Sequence, residues 1–432
     1  MVERQPTMSL QAWIATRNEC LTVADKLIDP VSIVAAYGDN DRSIVAKSDF
    51  QAGTELVALK QGVFLNGTNW LKHFVGEEKE SLNAKVDSMQ LSGTIKTSLA
   101  LLAEVARGNS SDYCGYIQQL PTTLMLPFCW ESKLCELLQH TTAFSLLDDK
   151  VVLNLYENHA KPLMTTFSAI WPTEVSTLST FQWAYSMVVS RAFNVENATE
   201  PTLLPVIDMA NHSVHNPAAH IVMIDASTFQ LIALREVKKS EPVTISYGEL
   251  SNAQLIVTVK LLCRYGFVLP TVLPSDSIHI TSLELTNAFQ AFLHNSDIDN
   301  EDSSQIRLGK ATLKSNPAKR VKVDHLEKDG HSLFFTLNDK EEQDFGLGDA
   351  LLNFVMTNNY PAEHLDDVLA MILQEKDKKY CACLLKASEI ASCETKAIRQ
   401  LTLHERLICR RVLLGLKSLE EGSDVSEDDD ES

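Results

Sequence analysis

Apolar and polar positions alternate in several short segments of the first 270 residues, which is the pattern of half-buried β-strands. These segments are Ser43–Lys47, Thr54–Leu59, Ile221–Ile224, Phe229–Leu234 and Val243–Tyr247. Turn-forming residues separate them, as at Ala52-Gly53 between the first two. The pattern therefore predicts several short strands in small sheets.

Other parts of the chain carry apolar residues at the helical period. Residues 8–29 are predicted to form a leading helix. From Asn69 to Arg191 the pattern is mostly helical, with clear segments at Leu99–Val105 and Leu134–Leu138. Prolines at 121, 127 and 172 interrupt it. We therefore expect a helical region inserted between the strands.

The C-terminal part repeats the helical period more regularly. Apolar residues recur at the i, i+3, i+4 and i+7 positions of one segment, namely Leu365, Val368, Leu369 and Ile372. Pro361 lies near the first turn of this predicted helix, where proline is tolerated. Thr402 and Glu405 have the spacing of a capping box and predict the start of the last helix.

These patterns predict an α+β protein in four parts. Residues 1–29 contain the leading helix, and residues 30–268 contain the small sheets with the helical insertion at about 69–185. Residues 271–418 are predicted to form an all-helical domain. Residues 419–432 form an acidic tail without periodicity, which we expect to be disordered.

The charge of the chain limits the kinds of partner it can have. The 432 residues have a formal net charge of −19, and eight of the 57 acidic residues lie in Glu420–Ser432. A protein that binds nucleic acid by neutralising phosphates needs a concentrated basic face, which this composition argues against. The charge is compatible with a basic protein partner, or it serves solubility alone.

The chain carries no signal for a membrane or for secretion. No apolar run approaches the roughly 18 residues of a membrane span, and the N-terminal residues do not resemble a signal or transit peptide. We therefore expect a cytoplasmic or nuclear protein. The basic segment Pro317–Lys322 resembles a nuclear-import signal, and a solvated basic edge strand is the alternative.

The cysteines and histidines do not form a recognisable metal or disulfide pattern. Nine cysteines are scattered without a C-x-x-C pair, which predicts reduced and mostly buried thiols. His212, His215 and His220 lie close in sequence but outside any H-E-x-x-H frame, so we predict no bound metal.

Two segments combine polar side chains with the end of an apolar run. Leu204–Ser213 contains Asp208, Asn211 and His212, and Ile245–Asn252 contains Tyr247 followed by Gly248. Asn offers both a donor and an acceptor, so Asp-x-x-Asn-His at a strand end suits ligand binding. A structural turn with a capping Asp and a hydrogen-bonded His is the simpler interpretation of these residues alone.

The order of the motifs resembles the SET-domain methyltransferases, and among them the Rubisco large-subunit lysine methyltransferase subgroup. The matching motifs are Tyr113-x-x-Tyr116-Ile117-x-x-Leu120-Pro121, Pro127-x-x-Trp130, Leu138-Gln139-x-Thr141, Phe181-x-Trp183-Ala184, Ser190-Arg191-Ala192-Phe193, Asn211-His212, Tyr247-Gly248 and Tyr265-Gly266-Phe267. The resemblance covers most of residues 30–418. It implies a SET fold with a helical insertion and a C-terminal helical substrate-binding domain.

The resemblance implies methyl transfer from S-adenosylmethionine (AdoMet) to a lysine of a protein. The donor methyl and the amine must be collinear, and the amine must be uncharged, although the pKa of free lysine is about 10.4. In this family a narrow apolar channel holds the amine, and desolvation there lowers the lysine pKa. Tyr247 matches the tyrosine at the channel end and is the expected catalytic residue, orienting the amine.

The same resemblance assigns cofactor binding to Asn40, Arg42, Arg191, Asp208, Asn211, His212, Tyr247 and Phe267. Asn211 and His212 match the pair that holds the adenine side of AdoMet, with Asp208 supporting their turn. Arg191 matches a residue near the cofactor carboxylate, which a guanidinium binds bidentately.

Phe193 and Tyr265 are the residues expected to line the substrate channel. One branch of the subgroup methylates histidine and is similar in having Asn at the position of Phe193, where an amide can hydrogen-bond an imidazole. A phenyl ring makes no such bond but supplies an apolar wall for a lysine side chain. Lysine is therefore the favoured acceptor.

Two alternatives stay open, and departures from the family pattern motivate the first of them. The usual Gly-x-Gly that cradles the methionine end of AdoMet is replaced by Asn40-Asp41-Arg42-Ser43, and the segment from Asn252 to Tyr265 is longer than usual. A catalytically inactive SET scaffold is one alternative, and a protein-histidine methyltransferase is the other. We expect the protein to be a monomer that docks a protein substrate on its C-terminal domain. We expect neither a nucleic acid nor a membrane as a partner.

Overall fold

The computed structural model describes fifteen stretches of the chain. They are residues 10–17, 19–23, 27–32, 42–68, 76–122, 126–147, 150–194, 200–213, 216–225, 227–247, 257–272, 277–295, 325–328, 332–338 and 349–423. The chain divides into two compact units: the first comprises residues 1–130, 147–250 and 263–266, and the second comprises 131–146, 251–262 and 267–432.

Short antiparallel sheets form the β-structure of the first unit. Its described strands are β1 (Leu21–Val23), β2 (Leu27–Ser32), β3 (Arg42–Ala46), β4 (Glu55–Lys60), β5 (Ala219–Asp225) and β6 (Thr228–Ala233). One sheet has the order β1-β4-β6-β5, and β2 pairs with β3. Leu59 of β4 lies opposite both Leu21 and Phe229, and all three are buried. The alternation seen in the sequence therefore marks the faces that build this core.

The inserted region is helical, as predicted. The helices up to residue 191 are α1 (Leu10–Thr16), α2 (Gly76–Ser88), α3 (Gly93–Arg107), α4 (Cys114–Ile117), α5 (Ser132–Leu137), α6 (Thr142–Leu146), α7 (Val151–Leu155), α8 (Lys161–Thr166) and α9 (Leu178–Arg191). Two of them, α5 and α6, belong to the second unit. Helix α9 starts at a reciprocal cap between Thr177 and Thr180 and packs against α3. Its last residue, Arg191, thereby enters the candidate site.

The second unit is mainly helical and has its own core. Its helices are α5, α6, α11 (Ser282–Asn295), α12 (Asp349–Thr357), α13 (Leu365–Ser388) and α14 (Cys393–Ser423), and α10 (Val257–Tyr265) begins in it. Val368, Leu369 and Leu373 of α13 are buried with Ile408 and Val412 of α14. None of the described helices is both long and apolar enough to cross a membrane.

The α+β class and the mainly helical C-terminal region are confirmed, but the description of that region as all-helical needs a correction. Strands β7 (Ser277–Thr281), β8 (His325–Lys328) and β9 (Ser332–Asn338) form an antiparallel sheet of order β7-β9-β8. The sheet was missed because β8 is short and β9 follows a long polar stretch. The second unit also includes residues 131–146, which the sequence placed in the SET region.

The leading helix is shorter than the predicted 8–29. It ends at Thr16, and residues 21–23 and 27–32 are strands. Leu21, Thr22 and Val23 pair with β4, and this pairing overrides the helical spacing of the apolar residues. Pro30 within β2 also excludes a helix continuing through it.

The segment Val243–Tyr247 is not a regular strand. Ile245 makes isolated parallel bridges with both His212 and Ala219, and Pro242 makes an antiparallel bridge with Val45. The segment therefore contacts several pieces of chain in turn, so no single ladder forms.

The last helix starts earlier and ends later than predicted. It begins at Cys393, where the side chains of Ser392 and Thr395 each accept a hydrogen bond from the other's backbone N–H. Thr402 and Glu405 lie inside the helix and are buried rather than capping it. The helix continues to Ser423, so the acidic segment from 419 is helical at its start. The rest of that tail and the basic segment 317–322 lie outside the described residues.

Candidate active site

A cavity of about 620 Å³ lies in the first unit, bordered by the end of α9, by β5 and by the segment carrying Tyr247. Its walls consist of residues 190–194, Asp208, Pro217, residues 219–223, Leu234, Ser246, Tyr247, Arg264 and Tyr265. Ligand pockets typically enclose roughly 300–1,000 Å³, so the cavity can hold a cofactor-sized molecule.

Tyr247 is half-buried at the cavity wall, and its hydroxyl and backbone are both anchored. The hydroxyl donates a hydrogen bond to the main-chain oxygen of Ala210 at 3.0 Å. The backbone N–H of Tyr247 donates to Nδ1 of His212 at 3.2 Å, and the two rings lie 5.1 Å apart. Since the phenolic proton is already donated, any further hydrogen bond of this hydroxyl is one that its oxygen accepts.

Tyr265 stands against Tyr247, with ring centroids 4.7 Å apart. It is the last residue of α10, and the following Gly266 has a φ of +80°, which a side chain would strain. Burial raises the pKa of the Tyr265 hydroxyl. The longer segment between Asn252 and Tyr265 thus does not separate the two tyrosines.

Arg191 and Asp208 form a buried ion pair at the cavity wall. Nη1 of Arg191 donates to Oδ2 of Asp208 at 3.4 Å and to its main-chain oxygen at 3.2 Å. The Asp208 side chain is 0% exposed, and the Arg191 side chain is 22% exposed. Burial raises the pKa of Asp208, while Arg191 and the hydroxyl of Tyr116 act to lower it. The guanidinium retains donors for a ligand carboxylate.

Phe193 lines the cavity immediately after α9. Its backbone N–H and carbonyl exchange hydrogen bonds with Thr202 at 2.9 and 3.0 Å, which holds the ring in place as an apolar wall. Five consecutive residues of β5 also line the cavity. Alternate side chains of a strand point to opposite faces, so these five residues cannot all lie on one face. The cavity therefore borders the edge of β5 rather than one face of it.

Five of the predicted site residues line this cavity together: Arg191, Phe193, Asp208, Tyr247 and Tyr265. His212 accepts the hydrogen bond from the N–H of Tyr247, and burial lowers the pKa of its imidazole. The main-chain oxygen of Asn211 accepts a hydrogen bond from the N–H of Ile245 at 2.9 Å. Neither Asn211 nor His212 lines the cavity.

The remaining predicted cofactor residues are not brought to the cavity. Phe267 belongs to the second unit, where its N–H donates to the oxygen of Leu261 at 3.5 Å, and it is absent from the cavity lining. Arg42 begins β3, and its side chain is not described. Asn40 lies outside the described residues.

Sequence reasoning missed several residues of the site. Arg264, Leu234 and the β5 residues line the cavity, and Tyr116 supports it from α4. The motif around Tyr116 was visible, but nothing in its spacing pointed to Asp208, 92 positions away. The position of β5 at the edge of its sheet identifies it as part of the site, but this position is known only once the strands are paired.

Residues 41–248 match the family model described as the SET domain. The chain is similar to the ribosomal lysine N-methyltransferase set10 of Schizosaccharomyces pombe, with 28% identity over 200 residues, covering 45% of this chain and 34% of that protein. It is 24% identical over 292 residues to the N-lysine methyltransferase setd6 of Danio rerio, covering 63% and 58%. It is also 26% identical over 182 residues to the actin-histidine N-methyltransferase of Danio rerio, covering 39% and 29%. The chain thus spans less than two thirds of the length of these relatives.

Two solved structures have the same fold over nearly the whole chain. One, described as Rubisco LSMT bound to AdoMet, has a TM-score of 0.58 at 15% identity and covers 96% of this chain and 92% of its own. The other, the SET domain of LSMT bound to MeLysine and AdoHcy, has a TM-score of 0.59 at 16% identity, covering 97% and 94%. At these identities the similarity establishes the fold. Residues 41–248 are therefore similar to a SET domain, and the chain has the fold of Rubisco LSMT.

Proposed function

We propose that this chain is an AdoMet-dependent protein-lysine N-methyltransferase. The observation that carries the proposal is Tyr247, whose hydroxyl is committed to the Ala210 carbonyl at the wall of a cofactor-sized cavity. Its lone pairs accept a hydrogen bond from the substrate amine and orient the nitrogen lone pair for attack. Orienting the two reactants is the main contribution such a site makes to an in-line displacement.

The residues around the cavity fit AdoMet as the cofactor. AdoMet supplies an electrophilic methyl group on a sulfonium. The guanidinium of Arg191 faces the cavity as a cation suited to a carboxylate. Aromatic faces attract cations, and Tyr247 and Tyr265 together provide such a wall. The lysine-methylating relatives and the AdoMet-bound structure of the same fold support this assignment.

Lysine fits the cavity better than a more polar acceptor. Phe193 lines the cavity, and its ring offers no hydrogen bond but an apolar surface suited to an alkyl stem. An apolar lining disfavours the charged ammonium, so the lysine pKa falls from about 10.4 and the neutral nucleophile becomes more abundant. Phe193 and the two tyrosines thereby select and activate the amine without a strong base.

A protein substrate fits the position of the cavity beside a sheet edge. Among the described residues, the backbone contacts at the outer edge of β5 are made by its first residue, Ala219, which bridges Ile245 and donates to the main-chain oxygen of Thr244. An extended peptide pairs with such an edge through main-chain hydrogen bonds while one side chain enters the adjoining cavity. We further propose that the second unit binds the folded part of the substrate. The basic, non-nucleic-acid character of the substrate, monomeric action and a cytoplasmic or nuclear location remain predictions from the sequence.

The test is transfer of a labelled methyl group. The purified chain is incubated with tritiated AdoMet and a proteome extract, and labelled proteins are hydrolysed to identify the methylated amino acid. We expect radioactive methyllysine. Absence of AdoMet binding in calorimetry, together with absence of transfer, would favour the inactive scaffold.

Histidine methylation is the second candidate, and the similarity to the actin-histidine N-methyltransferase of Danio rerio favours it. Against it stands Phe193, which cannot hydrogen-bond an imidazole nitrogen. Recovery of methylhistidine in the hydrolysate would decide for this candidate.

A further inference from the structure

Two buried tyrosines at α4 differ in what their hydroxyl groups contact. Tyr113 and Tyr116 are both 0% exposed. The hydroxyl of Tyr113 donates to the main-chain oxygen of Phe64 at 3.1 Å. The hydroxyl of Tyr116 donates instead to Oδ2 of Asp208 at 2.9 Å. Only the second of these two reaches a charged group at the cavity.

Asp208 depends strongly on this hydrogen bond. Its Oδ2 also accepts the longer bond from Arg191, at 3.4 Å. Its Oδ1 is buried without a hydrogen-bond partner among the described residues. A buried carboxylate is stable as an ion only when hydrogen bonds and a counter-charge replace its water. Within the described residues, Tyr116 of α4 and Arg191 of α9 are the titratable groups that act on it.

The consequence reaches Arg191, whose guanidinium borders the cavity. Nη1 is held only by Asp208, through its carboxylate and its main-chain oxygen, among the bonds found in the described residues. A protonated Asp208 would lose its charge attraction for the guanidinium and hold it only through neutral, weaker hydrogen bonds. The placement of the cation therefore depends on the ionisation of Asp208.

We propose that Tyr116 is a positioning residue of this site: its hydroxyl fixes the Asp208 carboxylate, and that carboxylate fixes the Arg191 guanidinium for the carboxylate of AdoMet. The inference rests on the proposed function, because it names AdoMet as the ligand of Arg191. It adds a residue of the helical insertion to the machinery of the cavity.

The sign of the pH effect follows from the contacts. Burial raises the pKa of Asp208, and the Tyr116 hydroxyl acts in the opposite direction. Removing this hydroxyl raises the pKa of Asp208 further, so the carboxylate becomes protonated at a higher pH. Loss of one such hydrogen bond corresponds to a shift of about one pH unit.

The test compares Tyr116→Phe with the matched control Tyr113→Phe, which removes an equally buried hydroxyl from a neutral acceptor. In Tyr116→Phe we expect the acid limb of kcat/KM for AdoMet to move up by about one pH unit. We also expect the AdoMet Kd, measured by calorimetry, to rise about tenfold at a pH on the acid limb. In Tyr113→Phe both quantities should remain those of the wild type.

A third readout needs no activity. For the ligand-free chain, the loss of Tm in Tyr116→Phe should grow as the pH rises from 3.8, the ordinary pKa of this carboxyl, because the variant carries a less stable ionised Asp208. The loss in Tyr113→Phe should be independent of pH.

Asp208→Asn provides the second arm of a double-mutant cycle. If Tyr116 acts through Asp208, adding Tyr116→Phe to Asp208→Asn should change the AdoMet Kd by less than twofold. An equal effect of Tyr116→Phe in both backgrounds, or matching behaviour of Tyr116→Phe and Tyr113→Phe, overturns the inference. Absence of AdoMet binding in the wild type overturns the proposed function instead, so the two failures are distinguishable.

Discussion

The hydroxyl of Tyr247 donates its proton to the main-chain oxygen of Ala210 across 3.0 Å. This contact ties the phenol to the residue directly before Asn211 and His212, so the two motifs of the sequence meet at one point. Because the proton is committed, the oxygen can accept a further hydrogen bond but cannot donate one. The geometry suits orientation of an amine better than donation of a proton to it.

The choice between lysine and histidine should depend on Phe193. Phe193→Asn places an amide in the apolar wall, which leaves a buried polar group unsatisfied when an alkyl stem enters. We expect kcat/KM for lysine methylation to fall about tenfold or more. The measurement is the yield of methyllysine and methylhistidine in hydrolysates of labelled substrate.

The control for this substitution is Phe193→Leu, which keeps the wall apolar and should keep methyllysine as the product. If Phe193→Asn left the lysine rate unchanged, the wall would have no part in acceptor selection.

Gly266 should be required to keep Tyr265 against Tyr247. Its φ of +80° is strained for any residue with a side chain, by about 1–2 kcal/mol in the left-handed region. In Gly266→Ala the chain can relieve this strain by moving Tyr265, so we expect a lower kcat as well as a lower Tm. The measurements are steady-state kinetics and thermal unfolding.

Gly53 offers a matched control, because its φ is +82° and an added Cβ would meet nothing within 4 Å. Gly53 does not line the cavity, so Gly53→Ala should lose similar stability and keep its activity. Equal loss of activity in both variants would contradict a specific role for the Gly266 turn.

The second unit contains a buried carboxyl group that should make its stability depend on pH. Glu405 accepts hydrogen bonds from the N–H of Thr142 and the hydroxyl of Tyr380, and burial raises its pKa to about 7. The unfolded chain releases this proton near 4.5, so the folded state holds more protons between these values. Stability must therefore fall as the pH rises from 4.5 to 7, by about 3 kcal/mol from this group at most.

Glu405→Gln removes the titration while keeping the shape of the side chain. We expect the free energy of unfolding of the variant, followed by urea denaturation, to be flatter than that of the wild type over this pH range. A wild-type minus variant difference that does not change with pH would show that Glu405 does not titrate as described.

The sequence predicts correctly those elements in which the period of the apolar residues matches the face that is buried in the structure. The alternation in 54–59 and 229–234 became the paired strands β4 and β6, because both segments use one face for the same core. The N-terminal helix was overestimated because pairing of Leu21–Val23 with β4 cannot be read from local spacing. Thr402 and Glu405 looked like a cap, yet Glu405 turns inward to Thr142, 263 positions earlier.

The residues of the candidate site likewise form two groups, those that local motifs indicate and those that only long-range contacts reveal. Tyr247, Tyr265, Arg191, Asp208 and Phe193 were identified because they lie in short motifs whose order resembles a known family. Tyr116 and the edge of β5 are recognised only when distant segments are in contact, through a hydrogen bond in one case and strand order in the other. Local sequence does not encode such contacts in its spacing.

The central claim is that the Tyr247 hydroxyl orients an amine beside bound AdoMet. The direct measurement compares Tyr247→Phe with Tyr156→Phe, whose hydroxyl likewise donates to a main-chain oxygen, that of Ser176 at 2.8 Å, and whose side chain does not line the cavity. For both variants, AdoMet binding is measured by calorimetry and methyl transfer by label incorporation. We predict that Tyr247→Phe binds AdoMet within about threefold of the wild type and loses at least about 100-fold in kcat, while Tyr156→Phe retains both. Unchanged turnover in Tyr247→Phe would contradict the account.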